Sequence, residues 1–302
     1  MKLVKLGTAI AALAVITTFD LLGVAKSVDA ATIKLIGLND DNSLVFFNRK
    51  LSKISSTVKI AGVDGTLLGI DFRPADGLLY GVTDKNGIYT IDTTTGAATL
   101  VSNLSTTFSG GVTSGFDFNP VPDRLRLVGS NDQNLRINVE TGAVITDGTL
   151  AYAAGDPNFG ANPNITAAAY TNSFAGTTTT ALYGIDFALD TLVQQNPPNA
   201  GILNTIGSLG VDFGETGGFD IVTTKKGGTI VNDAFAASGS SIYSINLGTG
   251  AATTLGSFSS GSGNIVGLAA TSVPEPGTVG SLLGFGALAL LSRSRRRVKS
   301  AN

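Results

Sequence analysis

The sequence contains no histidine, no cysteine and no tryptophan, and only one methionine among 302 residues. It therefore has no imidazole base, no thiolate nucleophile and none of the usual His and Cys ligands of zinc and copper. These absences exclude most metalloenzyme mechanisms and the catalytic triads that need His or Cys. The lack of cysteine also fits an exported chain that avoids oxidation chemistry.

Charged residues are scarce, at 14% of the chain, whereas glycine is abundant, with 39 residues. This composition is typical of a protein with many turns, and it excludes helical bundles and coiled coils. Between the two terminal segments, acidic residues outnumber basic ones. Because a net acidic surface repels phosphate backbones, nucleic acid is not an expected partner.

The first 30 residues have the features of a secretory signal peptide. Lys2 and Lys5 precede an apolar run over residues 6–16, and the segment ends in the small-residue pattern Val28-Asp29-Ala30. The sequence predicts cleavage after Ala30 and export of the residues that follow.

The last 30 residues, 273–302, combine three elements. Pro274-Glu275-Pro276 is followed by an apolar stretch over residues 277–291 and then by a basic cluster that includes Arg295, Arg296 and Arg297. The apolar stretch is short against the roughly 20 residues that span a bilayer comfortably. The basic cluster is expected to stay cytoplasmic.

In this order the three elements resemble the PEP-CTERM sorting signal. The resemblance implies an exosortase-type membrane transpeptidase as partner, which recognises Pro-Glu-Pro and removes the tail in bacteria that usually make exopolysaccharide. It predicts transient inner-membrane anchoring through the C-terminal helix and then an outer-envelope or extracellular-matrix location. A permanent single-pass anchor is the alternative, and both place the core outside the inner membrane.

A repeat of roughly 50 residues runs through the core, the period of a four-stranded propeller blade. Leu67-Leu68-Gly69-Ile70-Asp71-Phe72 is echoed by Thr113-Ser114-Gly115-Phe116-Asp117-Phe118, and weaker copies begin at residues 165, 217 and 265. Each copy is predicted to be the first strand of a blade. In three copies a Thr-Gly pair follows the third strand and suits a tight hairpin.

The phase of the repeat predicts how the ring closes. The core opens at residues 32–38 with a second strand that no first strand precedes, whereas residues 265–270 form a first strand that no second strand follows. We therefore expect an all-β fold over residues 31–272, a five-bladed β-propeller with four-stranded blades closed by strands from both termini. Two separate β-sandwich domains are the alternative, but they do not explain the complementary ends.

From about Ile33 to Ala270 the sequence also resembles a secreted bacterial family known as domain-of-unknown-function family 4394. The resemblance implies a propeller-like secreted domain and no established activity. It rests on short stretches that include Gly69-Ile70-Asp71-Phe72-Arg73-Pro74, Gly155-Asp156-Pro157-Asn158 and Leu182-Tyr183-Gly184-Ile185-Asp186.

Asp71, Asp117 and Asp220 occupy the same position of three first strands, and alanine occupies it in the other two. First strands are innermost in a propeller, so these carboxylates are expected near the axis. They could bind a cation such as Ca²⁺ or act as catalytic carboxylates of a glycoside hydrolase or lyase. The alternative, that each accepts backbone N–H groups and locks its blade to a neighbour, is favoured because repeated residues usually serve what is repeated.

The longest connection between blades, residues 153–164, is the candidate ligand-binding loop. Phe159 could stack on a sugar, and the amide side chains beside it could hydrogen-bond the same sugar. A self-packed loop with Asx turns is the alternative. Insertions at residues 194–199 and 212–215 are further candidates. The predicted binding residues of the long loop are Asp156, Asn158, Phe159, Asn162 and Asn164.

Strand alternation places Arg124 and Arg126 on one face of a strand, where they could grip a carboxylate or sulfate. Pairing with Asp123 and Glu140 on the surface is favoured instead.

Apart from the Ca²⁺ considered above, no cofactor is expected.

Three functions fit these features. The favoured hypothesis is a non-enzymatic envelope or matrix protein that binds a polysaccharide or a protein. The alternatives are a carboxylate-dependent hydrolase or lyase acting on extracellular polysaccharide, and an architectural surface-layer component that self-associates.

Overall fold

A computed structural model describes residues 32–48, 51, 53–111, 113–226, 228–258 and 263–273. The predicted signal peptide and the sorting residues Pro274, Glu275, Pro276, Arg295, Arg296 and Arg297 lie outside the described residues. Within them, no helix is both long enough and apolar enough to cross a membrane. The described chain is almost entirely β-structure, as predicted.

Among the described residues, twenty-one strands and one short 3-10 helix follow one another. The first half contains β1 (Thr32–Asn39), β2 (Ser43–Phe47), β3 (Ile54–Lys59), β4 (Leu67–Phe72), β5 (Leu79–Thr83), β6 (Gly87–Ile91), β7 (Ala98–Asn103), β8 (Gly115–Asn119), β9 (Arg124–Val128), β10 (Asn134–Ile137), β11 (Val144–Thr146) and β12 (Ala151–Tyr152). The second half contains β13 (Ile165–Tyr170), β14 (Leu182–Asp186), β15 (Thr191–Gln195), the 3-10 helix (Pro198–Ala200), β16 (Ile202–Ser208), β17 (Gly217–Lys226), β18 (Thr229–Ser238), β19 (Ser241–Ile245), β20 (Ala252–Ser257) and β21 (Ile265–Val273).

These strands form five separate sheets, the blades of the propeller, and their strands are antiparallel except for one added strand in blade 4. Blade 1 consists of β21, β1, β2 and β3, blade 2 of β4–β7, blade 3 of β8–β11, blade 4 of β13–β16 with β12 added, and blade 5 of β17–β20. The innermost strands contact one another in the cyclic order β21, β4, β8, β13, β17 and back to β21. The five-bladed propeller predicted from the repeat is confirmed.

Blade 1 closes the ring with strands from both ends of the core. The inner strand β21 pairs antiparallel with β1, which brings Leu35 opposite Ala270 and Leu38 opposite Gly267. The strand that opens the core is therefore the second strand of blade 1, and residues 265–273 form the first strand of the same blade, as the phase of the repeat predicts. Hydrogen bonds between the two ends leave no incomplete blade with an open edge.

Blade 4 departs from the predicted four strands because it has a fifth, β12, at its outer edge. This strand belongs to the connection from blade 3 and pairs in parallel with β16. Leu150 and Tyr152 are buried there and pack with Val193 and Leu203 of blade 4. The connection therefore covers the edge of the next blade.

The inner strands of neighbouring blades pack closely at a position two residues before the axial aspartates. Glycine stands there in four inner strands and Ala167 in the fifth. A Cβ on Gly218 would lie 2.3 Å from the backbone nitrogen of Leu268 in blade 1. At the equivalent Gly267 the nearest atom would be 3.4 Å away. Side-chain size at this position thus sets the spacing of the inner strands.

We predict that Gly218→Ala lowers the free energy of unfolding by about 1–3 kcal/mol, because the new methyl group meets backbone that cannot rotate away. Gly267→Ala is the matched control, and we expect it to change stability by less than about 1 kcal/mol. Denaturant unfolding of both variants measures the difference. Equal effects would show that blade spacing is not limiting at Gly218.

Candidate functional site

The three axial aspartates lie together at the centre of the ring, as the repeat predicts. Asp71, Asp117 and Asp220 are only 3%, 2% and 3% exposed. Each offers a carboxylate oxygen, and these oxygens lie within 4.8 Å of one another. They come from blades 2, 3 and 5, whereas Ala169 and Ala269 occupy the equivalent positions of blades 4 and 1.

Each aspartate accepts a hydrogen bond from the inner strand of the next blade. The carboxylate of Asp71 accepts from the Phe118 N–H at 2.8 Å. That of Asp117 accepts from the Tyr170 N–H at 3.2 Å. That of Asp220 accepts from the N–H of Ala270. In every case the donor is the residue that follows the axial position of the next blade.

Because alanine stands at the axial position of blades 4 and 1, the equivalent N–H groups of blades 5 and 2 have no aspartate in the preceding blade. For these two N–H groups, the aspartate of the same strand takes that role. Asp220 uses its second oxygen to accept from its own neighbour, the Ile221 N–H, at 2.5 Å. The N–H of Phe72 likewise acts on the carboxylate of Asp71 and lowers its pKa. The three carboxylates therefore serve all five inner strands, with hydrogen bonds from four axial N–H groups and a favourable interaction with the fifth, that of Phe72.

Burial of three acids so close together makes them hold protons more tightly than exposed carboxyls. Burial, and after it the charges of Asp71 and Asp220, raise the pKa of Asp117 well above its usual value. Burial raises the pKa of Asp220 to about 6. The pKa of Asp71 is also raised, first by burial and then by the charge of Asp220. The interaction between the side chains of Asp117 and Asp220 raises the pKa of Asp117 and lowers that of Asp220.

Cavities flank the carboxylates on both sides along the axis. On the side where the inner strands begin, a small space of about 10 Å³ is lined by residues of all five blades, including Gly69 and Gly218. This is the lower limit for one water molecule. On the side where they end, a larger cavity of about 240 Å³ is lined by residues such as Phe72, Ile221 and Ala270. None of the three aspartates lines either space.

This geometry supports the structural interpretation of the aspartates. Glycosidases hold two carboxylates about 5–10 Å apart on either side of an accessible bond. Here all three are buried, and each accepts a backbone N–H group of the next blade. The three side chains join blades 2 to 3, 3 to 4, and 5 to 1.

The long loop before blade 4 is held by its own hydrogen bonds. The carboxylate of Asp156 accepts from the Thr205 N–H at 2.6 Å and from the Thr205 hydroxyl at 2.7 Å. The Asn158 amide also donates to the Thr205 hydroxyl, at 3.0 Å. Asn164 donates through its amide to the Asn162 carbonyl at 3.1 Å. These polar residues, predicted to bind ligand, are engaged within the protein.

Phe159 differs from the other residues of this loop. Its side chain is 66% exposed, more than any other large apolar side chain in the described part of the protein. Its backbone N–H donates to the carbonyl of Asp156 at 3.0 Å, which ties the exposed ring to the anchored part of the loop.

The two other insertions have different structural roles from one another. Gln194 and Gln195 belong to strand β15, so the turn of the first insertion begins only at Asn196. In the second insertion Phe213 is 1% exposed and packs in the core between blades 4 and 5. The second insertion therefore offers no exposed aromatic ring.

The surface pairing predicted for Arg124 and Arg126 is wrong. Arg73 of blade 2 takes both predicted partners, with its guanidinium donating to Asp123 and Glu140, each at 2.9 Å. Arg126 is 1% exposed and cannot reach the surface; its guanidinium donates to Asp147 at 2.7 Å. Arg124 donates instead to backbone carbonyl groups. These ion-pair partners lie far apart along the sequence, so strand alternation alone could not predict which of them meet.

Comparison with protein families agrees with the fold. The model of the family described as "Domain of unknown function (DUF4394)" matches residues 43–269. The chain belongs to this family. A second model, the PEP-CTERM protein-sorting motif, matches residues 272–297. This motif indicates an exported protein that an exosortase-type enzyme processes.

No curated protein matches the DUF4394 chain. Solved structures that are similar include a protein of unknown function from Bacteroides thetaiotaomicron (17% identity, 74% of this chain and 58% of that one, TM-score 0.43). Another is a protein of unknown function from Bacteroides caccae (14%, 74% and 72%, TM-score 0.37). A third is the glutaminyl cyclase of Myxococcus xanthus (13%, 65% and 77%, TM-score 0.42). The chain thus spans little more than half the length of the first of these.

Amide substitution separates the three aspartates. We predict that Asp71→Asn and Asp220→Asn each lower the free energy of unfolding by about 1–3 kcal/mol, because an amide has one oxygen for two N–H donors. Asp117→Asn is the matched control, since its oxygen can accept from Tyr170 while its amide donates to Asp220. Denaturant unfolding at about pH 5 compares them. An equal loss in all three would contradict the distribution of hydrogen bonds described above.

The raised pKa values predict that stability falls as pH rises. The pKa of Asp220 is 3.8 in its ordinary state and about 6 in the fold, so the folded protein binds more protons than the unfolded chain between these values. Stability from this source is complete below the lower value and is lost as pH rises through the upper one. We expect the melting temperature to fall between about pH 5 and pH 8, and to fall less in Asp117→Asn. A melting temperature that rises over this range would refute it.

Proposed function

We propose that this exported propeller binds a polysaccharide or a protein of the cell envelope or matrix without catalysing a reaction. The sorting motif supports delivery to the outside of the inner membrane. The outer envelope or extracellular matrix is the proposed destination after an exosortase-type enzyme has processed the tail. The remaining support comes from the exposed loop of blade 4.

Phe159 is the observation that carries the proposal. A large aromatic side chain that stays 66% exposed gains nothing from the hydrophobic core. The loop that presents it is fixed in advance, because Asp156 and Asn158 both bond to Thr205 of strand β16. A ring held in one position loses little conformational entropy when a ligand covers it. A pyranose ring or an apolar protein side chain provides a complementary surface.

The hydrolase and lyase alternative has less support. Its candidate acids Asp71, Asp117 and Asp220 are all buried, and Asp71 and Asp220 already use their oxygens for backbone N–H groups. A polysaccharide would have to reach them through residues that line the axial cavity, such as Phe72 and Ile221. The binding function needs no such rearrangement. The architectural alternative predicts self-association without any ligand.

We predict that Phe159→Ala weakens binding to a retained glycan or envelope protein by about tenfold or more, since central aromatic residues carry much of the binding energy. Glycan arrays and pull-downs from envelope extracts, with the full-length chain in detergent, provide the measurement. Leu100→Ala is the matched control, because Leu100 is 51% exposed on the outer strand of blade 2. Binding that is absent, or equal in the two variants, would overturn the proposal.

A further inference from the structure

A cleft of about 540 Å³ opens between blades 3 and 4, on the face of the ring where the inner strands end. The connection from β13 to β14 forms one wall with Thr178, Thr179 and Thr180. The candidate loop with Phe159 precedes β13, whereas this wall follows it. The cleft and Phe159 therefore lie at opposite ends of the same inner strand. The remaining wall residues are Asn119, Val121, Pro122, Arg136 and Asn199.

The charge that faces this cleft is positive, although the core of the protein is net acidic. Arg136 is the one charged residue that lines it. Behind it lies Asp147, 5% exposed through its side chain, which accepts from Arg136 at 2.9 Å and from Arg126 at 2.7 Å. Two guanidinium groups thus share one carboxylate, and a single positive charge stays uncompensated within the cluster.

Several hydrogen-bond donors in the cleft are available to bind a ligand. Arg136 uses Nε and Nη2 for Asp147, which leaves Nη1 without an acceptor in the described part of the chain. Asn199 accepts from the buried Arg126 at 2.7 Å through its side-chain oxygen, so its amide nitrogen faces away from that guanidinium and has no acceptor among the described residues. The hydroxyl of Thr178 likewise has no described partner.

The wall that carries Asn199 is rigid. Asn134 and Gln195, both buried, donate through their amides to the carbonyl of Pro198, at 3.1 Å and 2.6 Å. The carbonyl of Asn199 accepts from the Gly148 N–H at 3.0 Å. Donors fixed in this way bind a ligand with a small loss of conformational entropy.

We propose that this cleft binds a carboxylate-bearing sugar residue of an acidic glycan. The free nitrogens of Arg136 and Asn199 donate hydrogen bonds to the carboxylate. Hydrogen bonds from a guanidinium group to a carboxylate are strong because both groups are charged. Val121, 46% exposed, and the adjacent Pro122 provide an apolar ledge for one face of the sugar ring. Pockets that combine an apolar wall with a few fixed donors are typical of small-ligand sites. This site goes beyond the proposed function, because it neither contains Phe159 nor depends on it.

The decisive variant is Asn199→Asp. Its carboxylate can still accept from Arg126, so folding is retained, but a negative charge replaces the free amide donor and repels an acidic ligand. Asn246→Asp is the control for added charge. Asn246 accepts from two turn N–H groups of blade 5, and Asp92 already makes the equivalent bonds in blade 2.

Titration calorimetry of the full-length chain in detergent, with a galacturonic acid trimer and the neutral galactose trimer, tests the site. We expect the acidic trimer alone to bind, more weakly as salt rises. We expect Asn199→Asp to weaken binding about tenfold or more, and Asn246→Asp to leave it unchanged.

Three outcomes would overturn the proposal. The first is no binding of the acidic trimer, and the second is equal binding of the two trimers. The third is equal or tighter binding of a triglutamate peptide, which would show that the cleft selects carboxylates without selecting a sugar.

Discussion

The fold depends on how the inner edge of each blade satisfies its backbone. The innermost strand of a propeller blade has one side with no strand partner, and its N–H groups on that side are buried near the axis. A buried N–H without an acceptor is costly, so each of the five strands needs an acceptor from elsewhere. Three aspartates supply acceptors at one axial N–H group of each strand. They join neighbouring blades because the acceptor belongs to one blade and the donor usually to the next.

This solution brings three buried acids together near the axis. Burial and the charges of the two neighbouring acids raise the pKa of Asp117, and a carboxyl that keeps its proton adds no charge to the cluster. Alanine at the other two positions limits the number of buried acids, and the aspartates that follow accept the extra N–H groups. A ring closed in this way provides a rigid support, so the loops and clefts at its two faces can differ between blades without changing the centre.

Much of the fold could be predicted from the sequence because it repeats. A Gly-x-Asp stretch recurs in three of the five inner strands within a repeat of roughly 50 residues, and the complementary phase of residues 32–38 and 265–270 predicts the closure. The column Asp71, Asp117 and Asp220 predicts an axial cluster. The extra strand β12 could not be predicted, because two residues carry no period and its partner β16 lies far along the chain.

The polar networks were harder to predict than the strands. Alternation along β9 correctly places Arg124 and Arg126 two residues apart on one face, but it gives no information on which acid reaches them across a blade boundary. The partners of Arg126, Asp147 and Asn199, lie 21 and 73 residues away. A sign of the cleft was visible only in the loss of the Thr-Gly turn near residue 196, where the repeat is interrupted.

Hydrogen exchange of the axial amides tests the central claim most directly. If the three carboxylates accept from all five strands, then the amides of Phe72, Phe118, Tyr170, Ile221 and Ala270 are closed to solvent in the folded ring. We expect these five amides to exchange only through global unfolding, as slowly as the amides of the central strands. Exchange of any of them through local opening, while the central strands stay protected, would contradict the account.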